Sequence, residues 1–363
     1  MNVEFHYYMT YLIATRAGFT PKDAHTIAYS CEYIDENEQP TIVNKGLAAE
    51  YSSTQTQACD ADYIPETLGD RAKVYSVFHF IPGYPSSGSP RTDGKTSLLN
   101  TTPNSQNAQE IFSKALATKN LYRIGIAAHG YADTWAHQNF EGQASEFNQI
   151  FGVDFLKPLK KWDLPDLGHA EAFCHPDYPA TIWTDSRLKE SEIDNKVRFL
   201  DAAGNLFWQL AGCAGKLSSA QIEDTRSKLI ADLDTAIGER DDGNDYADAR
   251  IARYVALSQK SEYGGVQLEP FQRQDGGWRV IAIDDMAPAG DEERMADTTA
   301  DGKMDHFWKD SQNYTSTDWY QFQEAAREHQ IDAIAILTAS VPAFKDLIEG
   351  KSLSVDERQS LQL

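Results

Sequence analysis

The sequence predicts a mainly helical (all-α) protein, and three observations carry this prediction. Apolar residues recur at helical spacing in several long segments, capping and helix-breaking residues stand between those segments, and no repeat of fixed period is present. The chain of 363 residues exceeds the usual size of one domain. We therefore expect a helical domain over residues 1–215 and a mainly helical C-terminal extension over residues 216–363, with a short strand pair within residues 266–284.

The first two helices have clear ends in the sequence. Residues 5–17 carry apolar side chains at helical spacing, and Gly18 provides a stop. Thr20 precedes Pro21 in the arrangement of an N-cap followed by proline at the first helical position. This pattern opens a second helix that reaches about Asp35. The remaining segments are predicted as helices over residues 108–141, 194–214, 219–238 and 318–349, and as a long surface loop over residues 82–107.

The charge of the chain disfavours some classes of partner. There are 33 Lys and Arg residues against 55 Asp and Glu residues, which gives a net charge of -22. Such a chain is poorly suited to neutralise a phosphate backbone, so we expect no stable nucleic-acid partner. An anionic membrane surface would also repel it, so a lipid substrate is expected to be zwitterionic or delivered as a monomer or micelle.

Targeting signals and disulfides are not evident in the sequence. No apolar run approaches the roughly 18 residues that span a bilayer, and the opening residues lack the pattern of a secretory signal. We expect a cytoplasmic protein, or one exported by a signal-independent route. The cysteines Cys31, Cys59, Cys174 and Cys213 show neither CxxC spacing nor the density of a disulfide scaffold, and we interpret them as mostly buried free thiols.

The segment HGYADTWAH carries the strongest chemical signal. His129, Asp133 and His137 are four residues apart on a predicted helix, so they share one face. A rise of 1.5 Å per residue puts the two histidines roughly 12 Å apart, too far for both to bind one ion. Asp133 lies between them, and its two oxygens make it the natural bridge between two metal ions.

Further metal-ligating candidates lie in other segments. They are His6 in the first helix, Asp35 at the end of the second, His79 in VFHF, and His169 in LGHAEAFCHPD. Each of these residues alone has an ordinary structural explanation: a helix-start residue, a solvated helix end, a half-buried strand or loop histidine, and a turn residue. The three residues in register on one helix favour the metal interpretation for the set.

This ordered set resembles the zinc-dependent phospholipase C superfamily, which also contains the single-strand-specific zinc nucleases. By that resemblance, residues of this chain match the family's ligands in order: His6, Asp35, His79, His129, Asp133, His137 and His169. The segments FHYYMTYLIATRAGF and GHAEAFCHPDYP also look like a little-characterised bacterial branch of the superfamily. The resemblance covers roughly residues 1–215 and implies an all-helical protein that binds two to three zinc ions.

Three departures from the family pattern affect this expectation. Three residues separate Asp133 from His137, where the family commonly has five. The family's final acidic ligand usually follows its histidine by four residues, but Phe173 stands there, which leaves Asp177 or Glu171; we prefer Asp177, because a turn at the adjacent proline can swing it back. In secreted relatives a terminal tryptophan amine binds zinc, whereas this sequence begins with Met and Asn.

The resemblance implies a zinc phosphodiesterase of the phospholipase C type, which releases diacylglycerol and a phosphorylated head group from a phosphatidylcholine-like lipid. Zinc lowers the pKa of bound water to about 7, so hydroxide is the expected nucleophile, with Asp35 as a ligand and candidate catalytic base. One alternative is a nuclease or nucleotidase using the same metals, which the charge disfavours. Another is a non-catalytic helical protein with structural zinc, which the carboxylate-rich ligand set disfavours.

Two further features have competing interpretations. Aromatic residues near the candidate ligands, among them Tyr84, Tyr131 and Phe140, are candidates for a substrate-binding wall against acyl chains or a choline cation, although core packing explains most of them equally well. The acidic segment at residues 241–245 contains oxygen ligands for calcium, but the EF-hand spacing with its final Glu is missing. We therefore interpret that segment as a solvated loop.

Overall fold

A computed structural model of the chain describes residues 1–59, 63–83, 90–150, 167–273, 277–285 and 306–351. Within these residues the protein is mainly helical, as predicted. The α-helices are α1 (Thr10–Ala17), α2 (Pro21–Glu36), α3 (Leu68–Phe78), α4 (Gln106–Thr118), α5 (Leu121–Ala136), α6 (Asn195–Ala214), α7 (Ser219–Ile237), α8 (Ala247–Ser258), α9 (Trp278–Ala282), α10 (Asp318–Ser340) and α11 (Pro342–Ile348). The predicted helices at the N-terminus and over residues 194–214, 219–238 and 318–349 are confirmed.

The N-terminal helix begins with an unusual turn. Residues Glu4–Met9 form a π-helical turn that continues directly into α1, and such turns are rare and often lie at functional sites. Gly18 ends α1 with a φ of 107°, a conformation that glycine adopts without strain. The hydroxyl of Thr20 accepts a hydrogen bond from the backbone of Asp23 and caps α2, as the sequence predicted.

The segment predicted as helical over residues 108–141 contains two helices. Lys119 adopts a left-handed φ of 57° and ends α4, and the side chain of Asn120 then caps the start of α5. Helix α5 ends at Ala136, so His137 lies at its C-terminal boundary. A short break therefore separates α4 from the helix that carries His129 and Asp133.

Three antiparallel two-stranded sheets accompany the helices of the described residues: β1 (Ile42–Val43) with β2 (Tyr51–Ser52), β3 (Ile182–Thr184) with β4 (Glu192–Asp194), and β5 (Ile283–Asp284) with β6 (Phe307–Trp308). The β5–β6 pair lies in the C-terminal region, where a strand pair was expected. Within the expected segment, however, residues Trp278–Ala282 are helical, and the partner strand lies at residues 307–308.

Two glycines let the helices around the centre approach closely. A Cβ atom at Gly125 of α5 would lie 2.2 Å from the carbonyl oxygen of Ile27 in α2, and one at Gly130 would lie 2.8 Å from the carbonyl oxygen of Phe78 in α3. Any larger residue would force these backbones apart. The packing of α5 on both α2 and α3 therefore depends on glycine at these two positions.

The main buried core contains residues from both sides of residue 215. Tyr29 of α2 stacks on Trp278 at 4.1 Å between ring centroids, and Phe5 and Leu337 belong to the same buried cluster. The boundary at residue 215 stays a prediction. Among the described residues, no helix combines the length and the apolar character needed to cross a membrane.

The thiols and the loop at residues 82–107 differ in part from expectation. All four cysteines are free, as predicted, but Cys59 and Cys174 are exposed and only Cys31 is fully buried.

In the described part of the loop at residues 82–107, Leu99 and Thr101 are buried, because the backbone of Thr101 pairs with residues next to the end of α5. Residues 99–102 are therefore part of the packed structure, whereas residues 92–94 are exposed as predicted for a surface loop.

Candidate metal centre

The candidate ligands lie where the helices end. Asp35 is in the last turn of α2, His79 is the residue that follows α3, and His137 follows α5. His129 and Asp133 lie on the buried face of α5. Helix ends bring side chains from several elements to one place while the helices behind them pack as a rigid frame.

The first group of candidate ligands contains Asp35, His79 and His129. His129 Nε2 lies 3.1 Å from His79 Nδ1, and an oxygen of Asp35 lies 3.6 and 3.7 Å from these two nitrogens. Asp133 Oδ2 completes the group at 3.2 Å from His129 and 3.5 Å from His79. Two atoms bound tetrahedrally at 2.0–2.1 Å from one zinc ion are about 3.3 Å apart, so these separations match a single ion.

The second group contains His137, His169 and Asp177. His137 Nε2 lies 3.1 Å from Asp177 Oδ1, and His169 Nε2 lies 3.3 Å from Asp177 Oδ2. Asp177 rather than Glu171 takes the acidic position, because the Glu171 carboxylate accepts a hydrogen bond from the backbone of Ile150. The 3₁₀ turn His175–Asp177 brings the aspartate back to the histidines, as the turn at Pro176 suggested.

Backbone carbonyl oxygens fix the orientation of four of these imidazoles. His129 Nδ1 donates to Cys31 O at 2.7 Å, and His79 Nε2 donates to Thr56 O at 2.9 Å. The Nδ1 atoms of His137 and His169 donate in the same way, to the carbonyl oxygens of His79 and Phe173, at 2.9 and 2.8 Å. A carbonyl oxygen only accepts, so in each neutral ring the proton is on that nitrogen and the other nitrogen has a free lone pair.

Asp133 lies between the two groups and is buried, at 1% exposure. Its Oδ2 faces the first group and is also 3.5 Å from His137 Nδ1 of the second. Its Oδ1 is 3.2 Å from His6 Nε2 and contacts the Met1 amino group, which in turn is 3.1 Å from Asp177 Oδ1. Asp133 therefore contacts the first group, His6 and the Nδ1 side of His137, whereas Nε2 of His137 faces Asp177. The role of Asp133 as a bridge between two ions stays a prediction.

His6 differs from the other four histidines of the candidate centre, because its Nδ1 faces a thiol and not a backbone carbonyl oxygen. Its Nδ1 lies 3.5 Å from the thiol of Cys31, and its ring stacks on that of His129 with centroids 3.8 Å apart. His6, Cys31 and His129 form a third buried set of candidate ligand atoms. Sequence reasoning missed Cys31, although it lies four residues before Asp35 on the same face of α2, which was an available signal.

The electrostatics favour a neutral His6 and an ionised Asp133. Burial, the neighbouring His129 and the Met1 amino group together lower the pKa of His6 to about 3, so His6 is neutral at pH 7. Burial alone would raise the pKa of Asp133, but His137, the Met1 amino group and His129 hold it well below its ordinary value. A neutral imidazole and an ionised carboxylate are the forms that coordinate a metal. Burial alone would lower the pKa of His129, but the neighbouring Asp133 and Asp35 raise it, so a metal ion bound there would displace a proton.

The residues present fit a bound cation. When both rings of the first group are neutral, the nitrogens of His79 and His129 that do not bind a carbonyl oxygen face each other and two carboxylate oxygens, so their lone pairs converge on one point. Asp133 Oδ2 and His6 Nε2 are buried and have no hydrogen-bond partner. A buried carboxylate oxygen without a partner is costly unless a cation lies beside it. Nitrogen and carboxylate donors together are typical of zinc and similar divalent ions.

Both groups open into one cavity of about 610 Å³. Its lining includes the candidate ligands Asp35, His79, Asp133, His137, His169 and Asp177. Tyr75, Phe80 and Tyr178 supply apolar surface beside them, and Arg273 brings a positive charge to the lining. A small molecule in this cavity would therefore contact both groups at once.

The predicted aromatic wall needs correction. Tyr131 and Phe140 are 1% and 0% exposed, and neither lines the cavity. The hydroxyl of Tyr131 donates to Asn104 Oδ1 at 2.6 Å, and its ring stacks on Phe112 in the core, so it faces away from the candidate ligands. Core packing accounts for both residues. Tyr84, the third predicted wall residue, lies outside the described residues.

The acidic segment at residues 241–245 is neither a calcium site nor a fully solvated loop. The carboxylate of Asp241 is buried and bound by the guanidinium of Arg250 at 2.6 Å. Asp242 is bound by Arg240 and by the backbone of Ile182. Because arginine already neutralises these carboxylates, they leave no anionic cage for calcium.

Comparison with known proteins places the chain in one family. No curated protein and no solved structure matches the sequence significantly. A family match does extend over most of the chain and includes every candidate ligand described above. The chain belongs to a family of unknown function (DUF6765), which matches residues 1–337.

Proposed function

We propose that this protein is a zinc-dependent phosphodiesterase of the phospholipase C type. One observation carries the proposal: two groups of histidine and aspartate side chains, linked by the buried Asp133, open into a single cavity. Structural zinc sites are closed and favour cysteine, whereas these groups are rich in carboxylate and open to solvent. The order of the ligands along the chain, which resembles zinc-dependent phospholipase C enzymes, supports the choice of reaction.

The candidate residues would hold the metal in two or three places. Asp35, His79, His129 and Asp133 would hold one ion, and His137, His169 and Asp177 a second, with His6 and Asp133 available for a third. Zinc bound there would supply Lewis acidity at the phosphoryl oxygens and would make water an effective nucleophile near neutral pH. The fixed carbonyl bonds to the histidines would hold the centre in its binding geometry before any ion arrives.

Asp35 is the best placed residue to move a proton. It lines the cavity and its side chain is 27% exposed, whereas Asp133 is almost completely enclosed. Gln57 Nε2 donates to Asp35 Oδ1 at 3.1 Å and so orients the carboxylate, leaving Oδ2 available to a water molecule in the cavity. We assign Asp35 the role of proton acceptor from the attacking water.

The test combines metal analysis with three substrates. Purified protein is analysed for zinc, then assayed on a chromogenic choline phosphodiester, on phosphatidylcholine micelles and on single-stranded DNA, before and after chelation and after zinc is restored. We expect two to three zinc ions per chain and hydrolysis of the choline esters that chelation abolishes and zinc restores. Activity on DNA alone would replace this proposal with the nuclease alternative, and a chain that binds no zinc would overturn it.

A further inference from the structure

Arg250 of α8 is the most completely buried arginine among the described residues, at 1% exposure. A buried guanidinium is stable only when its donors are matched by acceptors. Its Nε and Nη2 donate to the two carboxylate oxygens of Glu4 at 2.8 and 3.0 Å. Its Nη1 donates to Asp241 Oδ2 at 2.6 Å, and Nη2 also contacts Asn244. Arg250 thus joins two carboxylates from distant parts of the chain.

Glu4 belongs to the segment that carries His6. It lies in the first turn of the π-helical turn, and its backbone NH donates to the side chain of Asn2 at 3.2 Å. The backbone NH of His6 donates to the carbonyl oxygen of Asn2 at 3.0 Å. Asn2, Glu4 and His6 therefore form one hydrogen-bonded unit, and a bond that fixes Glu4 also fixes the position from which His6 reaches Asp133.

Asp241 belongs to a loop bound to the segment that follows Asp177. Its backbone NH donates to the carbonyl oxygen of Ala180 at 2.9 Å, and the neighbouring Asp242 accepts from the backbone NH of Ile182, also at 2.9 Å. The Asp241 carboxylate also accepts backbone hydrogen bonds from the residues just before α8. Hydrogen bonds therefore hold this loop both to the segment that follows Asp177 and to the start of α8.

We propose that Arg250, through its bonds to Glu4 and Asp241, is a positioning residue that holds His6 and the segment following Asp177 in register for metal binding. The inference rests on the proposed zinc function. It assigns the region after residue 215, which contains Arg250 and Asp241, a role in positioning the candidate ligands. Arginine suits this position because its planar guanidinium group donates from several nitrogens and can bind two carboxylates at once. Lysine has a single ammonium nitrogen on a shorter side chain.

A second buried arginine offers a matched control. Arg123 is 3% exposed and also joins the two parts of the chain, since it binds Glu328 and Asp332 of α10 at 3.1 and 2.7 Å. It lies in the first turn of α5, at the other end of that helix from Asp133. Replacing Arg123 removes a buried arginine and its ion pairs near the start of α5, away from the candidate ligands at the other end of that helix.

The experiment compares zinc binding in Arg250→Met, Glu4→Gln and Arg123→Met with that of the full-length wild-type chain. Zinc number and dissociation constants are measured by competition with a chromophoric chelator, and folding is checked by thermal melting. We expect all three variants to melt at lower temperature than wild type. Arg250→Met and Glu4→Gln should bind at least one ion about 10- to 100-fold more weakly, the cost typical of losing an outer-shell partner, while Arg123→Met keeps wild-type zinc affinity.

Equal zinc affinity in Arg250→Met, Glu4→Gln and Arg123→Met would overturn the inference, because Arg250 would then act on stability alone. If Arg250→Met does not melt cooperatively, Glu4→Gln decides, since the glutamine carbonyl still accepts one hydrogen bond from Arg250 and keeps the core filled. A wild-type chain that binds no zinc would overturn the proposed function, and this inference with it. The two failures are therefore distinguishable.

Discussion

Replacing Asp133 by asparagine should damage the centre more than replacing Asp177. Asp133 lies within 3.5 Å of the ring nitrogens of His6, His79, His129 and His137. Asp177 lies near the rings of the second group only. An amide keeps the shape of the side chain but removes its charge and one acceptor oxygen. We take the loss of affinity for each affected ion as at least about 10- to 100-fold. The combined affinity for two ions then falls by about 10²- to 10⁴-fold in Asp133→Asn, and the affinity for one ion falls by about 10- to 100-fold in Asp177→Asn.

The assay measures zinc content, zinc affinity and hydrolysis of a choline phosphodiester for both variants. Asp185→Asn is the control, because Asp185 is equally buried at 1% exposure but is bound by Arg187 and does not line the cavity. We expect the control to lose stability and to keep its zinc. Equal losses of zinc and activity in Asp133→Asn and Asp177→Asn would refute the bridge assignment, since a bridging carboxylate contacts two ions and a terminal one contacts a single ion.

Three further predictions concern stability and the cavity. His329 is 1% exposed, and burial and Arg123 lower its pKa to about 3, so the unfolded chain takes up a proton before the folded chain does and stability falls as the pH drops from about 6.5 toward 3. Between pH 7 and pH 4 the wild-type chain should lose about 3 kcal/mol more unfolding free energy than His329→Leu does. Urea unfolding in the presence of a chelator measures this difference. Tyr131→Phe should cost about 1 kcal/mol of stability and leave kcat and KM unchanged, and a changed KM would return Tyr131 to the substrate site. Zinc at about 1,000 times its dissociation constant should add about 4 kcal/mol per site to the unfolding free energy of chelator-treated protein, and an unchanged melting temperature would contradict a folded-state metal centre.

Local patterns were sufficient where one helix supplies the geometry. The four-residue spacing of His129 and Asp133 fixes their common face, because the period of an α-helix is 3.6 residues, and His137 follows directly where α5 ends. The cap at Thr20 and the stop at Gly18 are equally local, and the structure shows both. Features that depend on a single turn of backbone could therefore be predicted from the sequence.

Features that depend on irregular backbone or on distant pairing could not be predicted. Phe173 has a positive φ of 52°, which few non-glycine residues adopt, and it starts the path that brings Asp177 to His169. The ordinary structural explanation for His79 was a half-buried strand or loop histidine, but His79 is 2% exposed at the end of α3. The bond from Arg250 to Glu4 spans 246 residues, and no local pattern encodes such a contact.

His79 contacts both groups of candidate ligands, through its side chain and through its backbone. Its imidazole belongs to the first group, while its backbone carbonyl oxygen accepts the hydrogen bond that orients His137 of the second. A shift of the backbone at the end of α3 would therefore move a candidate ligand in one group and turn a candidate ligand in the other. His169, by contrast, is oriented by the carbonyl oxygen of Phe173, so a change there would act on the second group alone. Occupation of the two groups should accordingly be coupled through residue 79, because an ion that fixes one side of this residue also restricts the other.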